Sequence, residues 1–323
     1  MICAMYPVPL RPQPVMTMRR TGCKTSQVDE REQAGHEAIA RAVASAGTPA
    51  VVVEMHRQLG DILHSTLVVR HLRATCTDKV VWAISERYID TFSQFGQDQL
   101  GPHAIAALPE LPAWPNDGPF RVAWVTRAKT LPGVRAVGCG VHPWGWACGT
   151  IVDAVLSNAG VVETLAVPRR PWLPLHHDDL TFADRFIRDA GLQRGYVALE
   201  YTSYSLKTNP ISWYQELVRR SPLPVVALAS SQEELPAGAI DGRATSFRQA
   251  KKLIMRASCF VGCGSGLSVI AASNHCEQPV IELVTSSLSM PVLGYRPADR
   301  RYRNLHGESP KQVAAAIDDI GHS

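Results

Sequence analysis

The chain has 323 residues, 46% of them hydrophobic and 19% charged, which is enough apolar material for two domains with separate cores. Its formal charge of +4 comes from lysines and arginines scattered along the sequence. That scatter lacks the basic stripe a nucleic-acid groove needs, and no run reaches the roughly 18 to 20 apolar residues of a membrane span, so nucleic acid is not an expected partner and membrane contact would be peripheral.

The first twenty residues carry four prolines and no continuous apolar core, and read as a disordered arm. Helical spacing of small apolar residues from Val28 to Ala46 predicts a surface helix, so residues 1–47 form an arm and helix ahead of the first domain. The β-branched run Ala50 to Glu54 predicts a buried parallel strand, followed by a helix from Asp61 to Ala74. Lys79 to Ile84, His103 to Ala107 and Arg121 to Val125 repeat the short apolar pattern. The glycine-rich segment Leu131 to Gly149 reads as loop, and Thr150 to Ala159 as helix. Pro168 to Pro174 holds three prolines in seven residues, which neither a helix nor a central strand tolerates, so the interdomain linker is placed there.

A second alternating series follows. It comprises a helix Asp179 to Ala190, a strand Tyr196 to Glu200, a helix Ser212 to Arg220 and a strand Pro224 to Ala229. Then come a helix Phe247 to Arg256 with Ala250, Leu253, Ile254 and Ala257 on one face, a strand Cys259 to Val261, a glycine-rich turn, a further helix, a strand Pro279 to Leu283 and a last helix Pro310 to Ile320. Strands alternating with helices predict an α/β chain of two doubly wound, Rossmann-like domains, residues 48–170 and 171–323, facing a crevice at the carboxyl ends of their strands.

Eight cysteines spread over the chain read as free thiols of a reducing, cytoplasmic compartment. Neither Cys139 with His142 and Cys148, nor Cys259 with Cys263, has the paired short spacings of a zinc site, so no metal is expected. His176-His177-Asp178-Asp179 beside the linker reads as a solvated helix start.

Three stretches carry chemistry. In Gly262-Cys263-Gly264-Ser265-Gly266 the glycines either let a ligand approach the backbone or let the helix pack on its sheet. The free N–H groups of a helix start there would suit a phosphate. In Glu200 to Lys207, Thr202 and Ser203 supply hydroxyls and Lys207 an ammonium, a set that fits a diphosphate, although a lone loop lysine is commonly solvated. From Met55 to Ser65, Gly60 permits a tight turn before Asp61, which is either a helix cap or a base, and Gly60, His64 and Arg57 are candidate phosphate or acceptor contacts, Arg57 being equally readable as a surface charge. Trp144 and Trp146 either close a loop core or line an acceptor cleft, since aromatic faces suit sugar rings.

Gln58 to Leu67, with its Leu-Gly-Asp-aliphatic-aliphatic core, resembles the amino-terminal signature of the family 9 glycosyltransferases, the heptosyltransferases of lipopolysaccharide synthesis. Phe260 to Ser268, followed by Ala271-Ala272 and Pro279-Val280, resembles their carboxy-terminal signature, and Phe182 to Leu192 the helix that opens their second domain. The resemblance spans roughly Val51 to Leu283 and implies a GT-B fold with a nucleotide-diphosphate sugar, commonly ADP-heptose, as donor substrate and no separate cofactor. It implies Asp61 as the base and Thr202, Ser203 and Lys207 as diphosphate ligands. It also implies Gly266 and Leu267, with Gly264, Ser265 and Ser268 beside them, as the donor turn.

Two positions depart from that pattern. Gly264 stands where the family usually has an acidic residue, and Val269 where it often has histidine. The Ser-Gly-Leu-Ser version resembles the subgroup that modifies protein hydroxyls on autotransporters, which leaves glycan, glycolipid and protein acceptors open. The implied reaction is an inverting glycosyl transfer at the inner face of the membrane or in the cytoplasm. The alternative is a catalytically silent homologue that binds a nucleotide or glycan.

Overall fold

The computed structural model describes residues 25–55, 59–110, 130–138, 151–203, 208–229, 232–284 and 302–321. The first half runs α1 (Thr25–Ala46), β1 (Ala50–Met55), α2 (Leu59–Thr75), β2 (Lys79–Ser85), a short α3 (Ile89–Phe92), β3 (Ala104–Leu108), β4 (Val134–Gly138) and α4 (Ile151–Asn158). Its sheet is parallel, in the order β3-β2-β1-β4. Alternation along the strands divides the core into two layers. Val51, Val53, Val80, Trp82 and Ile84 pack with Ile62, Leu63 and Leu67 of α2, whereas Val52, Val81 and Ala83 pack with Ile39, Ala42 and Val43 of α1. A sheet buried on both faces explains why β1 reads as an unbroken apolar run.

The second half runs α5 (His177–Asp189), β5 (Val197–Glu200), α6 (Ile211–Arg220), β6 (Val225–Leu228), β7 (Ile240–Asp241), α7 (Phe247–Arg256), β8 (Cys259–Gly262), α8 (Gly266–Ala271), β9 (Val280–Val284), β10 (Tyr302–His306) and α9 (Pro310–Gly321). Its parallel sheet has the order β10-β9-β8-β5-β6-β7. Val197, Leu199, Val225, Ala227, Val261, Ile281 and Leu283 pack with Tyr214 and Leu217 of α6 and Val313 and Ile317 of α9. Ala198, Val226, Phe260 and Val280 face the layer of α5, α7 and α8. On α7 the predicted apolar face is the buried one: Ala250, Leu253, Ile254 and the following Ala257.

Four expectations are corrected. Part of the segment read as loop is β4, which pairs with β1. Its pattern is diluted because only Val137 of its described side chains is buried, with Arg135 exposed at the sheet edge. β7 and β10 extend the second sheet beyond the strands read from the sequence, β7 being two residues long. The helix expected from Asp61 begins at Leu59, which puts Asp61 inside its first turn rather than at its cap. The helix expected from Asp179 begins at His177, where Asp179 is buried and accepts a hydrogen bond from the His176 amide at 2.9 Å. The expected strand Arg121 to Val125 lies outside the described residues.

The proline-rich segment between the halves is fastened to both. Trp172 donates its amide to Thr66 Oγ1 at 2.9 Å, and its ring stacks on Phe95 with centroids 4.5 Å apart. Leu173 donates to Asn274 Oδ1 at 2.8 Å and accepts from Lys251 Nζ at 2.7 Å, while Asn274 donates its amide to the Pro171 carbonyl. A second bridge comes from Arg248, which pairs with Asp179 at 3.0 Å and donates to the carbonyls of Asp90 and Thr91 in the first half.

Candidate functional site

The two motif loops meet. A Cβ placed on Gly60 would lie 3.7 Å from Gly266 Cα and 3.6 Å from Val269 Cγ2, and one on Gly266 would lie 3.5 Å from the Leu59 side chain. The first turn of α2 therefore touches the first turn of α8 with no side chain between the glycines. Asp61 is the next residue on α2, partly exposed at this junction. Asp61 in the first turn of a helix is also where a negative charge is favoured by the helix dipole.

Beneath the second turn lies a residue the sequence reading left without a role. Glu200 ends β5 with 1% of its surface exposed. Its Oε1 accepts from Ser265 Oγ and from the Leu267 amide at 3.0 Å, and its Oε2 accepts from the Cys263 amide at 3.2 Å and from Ser268 Oγ at 2.7 Å. Ser268 Oγ accepts in turn from the Gly264 amide at 3.0 Å. The only advance signal was a carboxylate at a strand end one register step from β8, where β5 and β8 pair through Leu199 and Val261.

The glycines of this turn divide by purpose. Gly264 has φ +79°, so the turn needs the left-handed conformation there. At Gly262 a Cβ would collide with the Phe260 ring and with Ser268 Oγ, which makes its role packing. Gly266 serves the contact between the halves.

Thr202 and Ser203 follow Glu200 and are partly exposed, and the Cys263 thiol donates to the Thr202 carbonyl at 3.5 Å. Gly60, Asp61, Thr202, Ser203, Gly264, Ser265, Gly266 and Leu267 are thus gathered at the strand ends, all partly exposed, with Ser268 buried behind them. His64 is buried within α2, and burial pushes its pKa down to about 3, so its ring is neutral and unsuited to meet a phosphate as a cation. Arg57, Lys207, Trp144 and Trp146 lie outside the described residues, as do Cys139, His142 and Cys148. Burial raises the thiol pKa of Cys259 to about 12 and that of Cys263 well above the usual range, which keeps both protonated. Among the described residues no group of three or more His, Cys, Asp or Glu could hold a metal ion, and no helix is long and apolar enough to cross a membrane.

The sequence matches no family model, and a search of curated proteins gives no match. Solved structures do resemble it. A family 9 glycosyl transferase from Veillonella parvula superposes with a TM-score of 0.62 at 11% identity, over 86% of this chain and 98% of that one. The E. coli ADP-heptose lps heptosyltransferase II superposes with a TM-score of 0.55 at 14% identity, over 84% of this chain and 98% of that one. The two parallel α/β halves thus have the GT-B arrangement of family 9 glycosyltransferases.

Proposed function

We propose that this chain is an inverting glycosyltransferase that moves a heptose-like sugar from a nucleoside-diphosphate donor to a hydroxyl of a glycan, glycolipid or protein. The observation that supports the reading is the contact of Gly60 with Gly266, which brings the helix turn that carries Asp61 against the glycine turn of the second half. The GT-B arrangement supports glycosyl transfer, and the similarity to the E. coli ADP-heptose heptosyltransferase supports an ADP-sugar as the first donor to test.

In this reading the acceptor hydroxyl loses its proton to the Asp61 carboxylate as its oxygen attacks the anomeric carbon. The bond from that carbon to the diphosphate oxygen breaks on the opposite side, and the electron pair leaves with the nucleoside diphosphate. Thr202, Ser203 and Lys207 stabilise the leaving charge without a metal. The donor binds against the second half, and the acceptor approaches from the first, in the cytoplasm or at the inner membrane face. The structural arm of the test is the exposure of Asp61 at the junction, since a base must reach its substrate.

A second reading, a silent nucleotide- or glycan-binding homologue, is favoured by Gly264, whose left-handed turn position carries no acidic side chain. The two are separated by incubating the protein with ADP-, GDP- and UDP-sugars. The first reading and a nucleotide-binding homologue both predict thermal stabilisation, about 2.7 kcal/mol at a hundred times the dissociation constant. Only the first predicts release of nucleoside diphosphate that depends on an acceptor and is lost on Asp61→Asn. Absence of stabilisation by all three nucleotide sugars would remove the first reading and the nucleotide-binding form of the second.

A further inference from the structure

The first turn of α2, which carries Asp61, is held from the second half by two routes. Gly266 touches Gly60 directly. The other route runs through Tyr88, a buried residue just before α3 in the first half. The Tyr88 hydroxyl accepts from the amide of Leu59, the first residue of α2. The opening amides of a helix have no partner within it, so this bond helps to fix where α2 begins. The Arg87 guanidinium covers the Tyr88 ring at 4.5 Å from its centroid, and the Phe247 ring of α7 lies tilted against it with centroids 6.0 Å apart.

Phe247 and Arg248 open α7, whose start is fixed by a reciprocal cap. The Gln249 amide donates to Ser246 Oγ at 3.2 Å, and the Ser246 amide to Gln249 Oε1 at 2.9 Å. From that turn Arg248 donates its Nε to Asp179 at 3.0 Å and its Nη1 to the carbonyls of Asp90 and Thr91 at 2.5 and 3.3 Å. Asp179 is buried and also holds the His176 amide, so the guanidinium is anchored on the second half and reaches the first with a separate nitrogen. A lysine ammonium, with one nitrogen, cannot serve both places.

We propose that Tyr88 and Arg248 are positioning residues that set the entry of α2, and with it Asp61, through the seating of α7 on residues 88–91. The contacts form one series. Asp179 fixes Arg248, Arg248 fixes the backbone at Asp90 and Thr91, and Tyr88 in the same short segment holds the Leu59 amide. Both residues act through Asp61 and not on the reacting atoms. The link between α7 and α2 stands on these contacts alone, and its consequence for sugar transfer rests on the function proposed above. If each residue only stabilised its own surroundings, changes in α7 would leave the α2 entry as it is.

The full chain is compared as wild type, Tyr88→Phe, Arg248→Lys, their double variant and Phe247→Ala. Phe247 is 37% exposed and uncharged, so its truncation strands no buried charge. Hydrogen exchange of the Leu59 amide, without ligand, reads the α2 entry. Each single variant should speed that exchange by at least about tenfold while the amides in the middle of α2 keep their wild-type rates. In transfer assays Tyr88→Phe and Arg248→Lys should each lower kcat by at least about tenfold at unchanged donor affinity, since a misplacement of about 1 Å can cost 10²-fold. The double variant should be no slower than the slower single one, because both break the same series.

Wild-type exchange at Leu59 in a folded Phe247→Ala or Arg248→Lys would overturn the proposal, whether or not transfer is found, and Phe247→Ala decides alone if Arg248→Lys does not fold. Losses that multiply in the double variant, or a loss of donor affinity at constant kcat, would overturn it too. Faster exchange at Leu59 in a protein that transfers no sugar would leave the link between α7 and α2 standing and remove the proposed function instead.

Discussion

The entries to α2 and α8 face each other across the junction and solve the same problem in opposite ways. At α2 the carboxylate belongs to the helix itself, on Asp61 in the first turn, and is partly exposed. At α8 it comes from a neighbouring strand, on Glu200, and is buried under the turn with four donors. The partly exposed acid can be reached from outside, whereas the one sunk beneath a turn has its lone pairs committed. Two glycine-containing helix entries with a nearby acid therefore need not share a role.

The sharpest test of that contrast is Asp61→Asn. With Asp61 inside the helix rather than at its cap, the amide should lower stability only by the dipole contribution of about 0.3 to 1 kcal/mol. Glycosyl transfer should fall by about 10² to 10⁴, with donor affinity retained, because an amide cannot accept the hydroxyl proton. Single-turnover rates beside a denaturant melt give both numbers, and near-normal transfer would return Asp61 to a structural role.

The second entry should respond to steric change far more than the first. Gly262→Ala forces a methyl group into the Phe260 ring and Ser268 Oγ, an overpacking expected to cost about 1 to 3 kcal/mol in urea unfolding.

Lys251 tests how the second entry is tied to the linker. Its ammonium is fully buried, donates to the Leu173 carbonyl and to Asn274 Oδ1, and burial pushes its pKa down to about 8 from 10.5. Between those values the unfolded chain holds a proton that the folded chain has released. Raising pH from 8 to 10.5 should therefore stabilise the wild type relative to Lys251→Met, by about 1 to 3 kcal/mol. Below pH 8 the difference should be flat, and parallel pH profiles of the two proteins would show that the ammonium is not desolvated.

The smallest effect is expected at the contact itself. A Cβ on Gly60 meets Gly266 and Val269 at ordinary packing distances, and alanine is the better helix former by about 0.8 to 1 kcal/mol, so Gly60→Ala should be neutral or slightly stabilising. A loss as large as that of Gly262→Ala would show that the α2 entry is as tightly built as the α8 entry.

Much of the fold was legible because it follows from local periodicity. The short β-branched or apolar runs at Ala50 to Glu54 and Cys259 to Val261, bounded by glycine or proline, read as strands buried on both faces and are so, and the apolar stripe of α7 named the side it buries. β4 escaped because an edge strand with one buried described side chain leaves no such pattern, and β7 because two residues carry none. Within the site, Gly60, Asp61 and the glycine turn could be singled out from spacing and from the family resemblance.

The sequence by itself determined which residues could form the two sheets, where a helix could start, and that prolines 168, 171 and 174 interrupt both kinds of element. Only the tertiary structure decided that Gly60 touches Gly266 and that Glu200 serves a turn more than sixty residues away. It also decided that Arg248 binds the first half while pairing with Asp179. The reason is physical. Periodicity records what each residue does for its own helix or strand, whereas a buried carboxylate takes its partners from whichever backbone donors the packed sheet brings within about 3 Å.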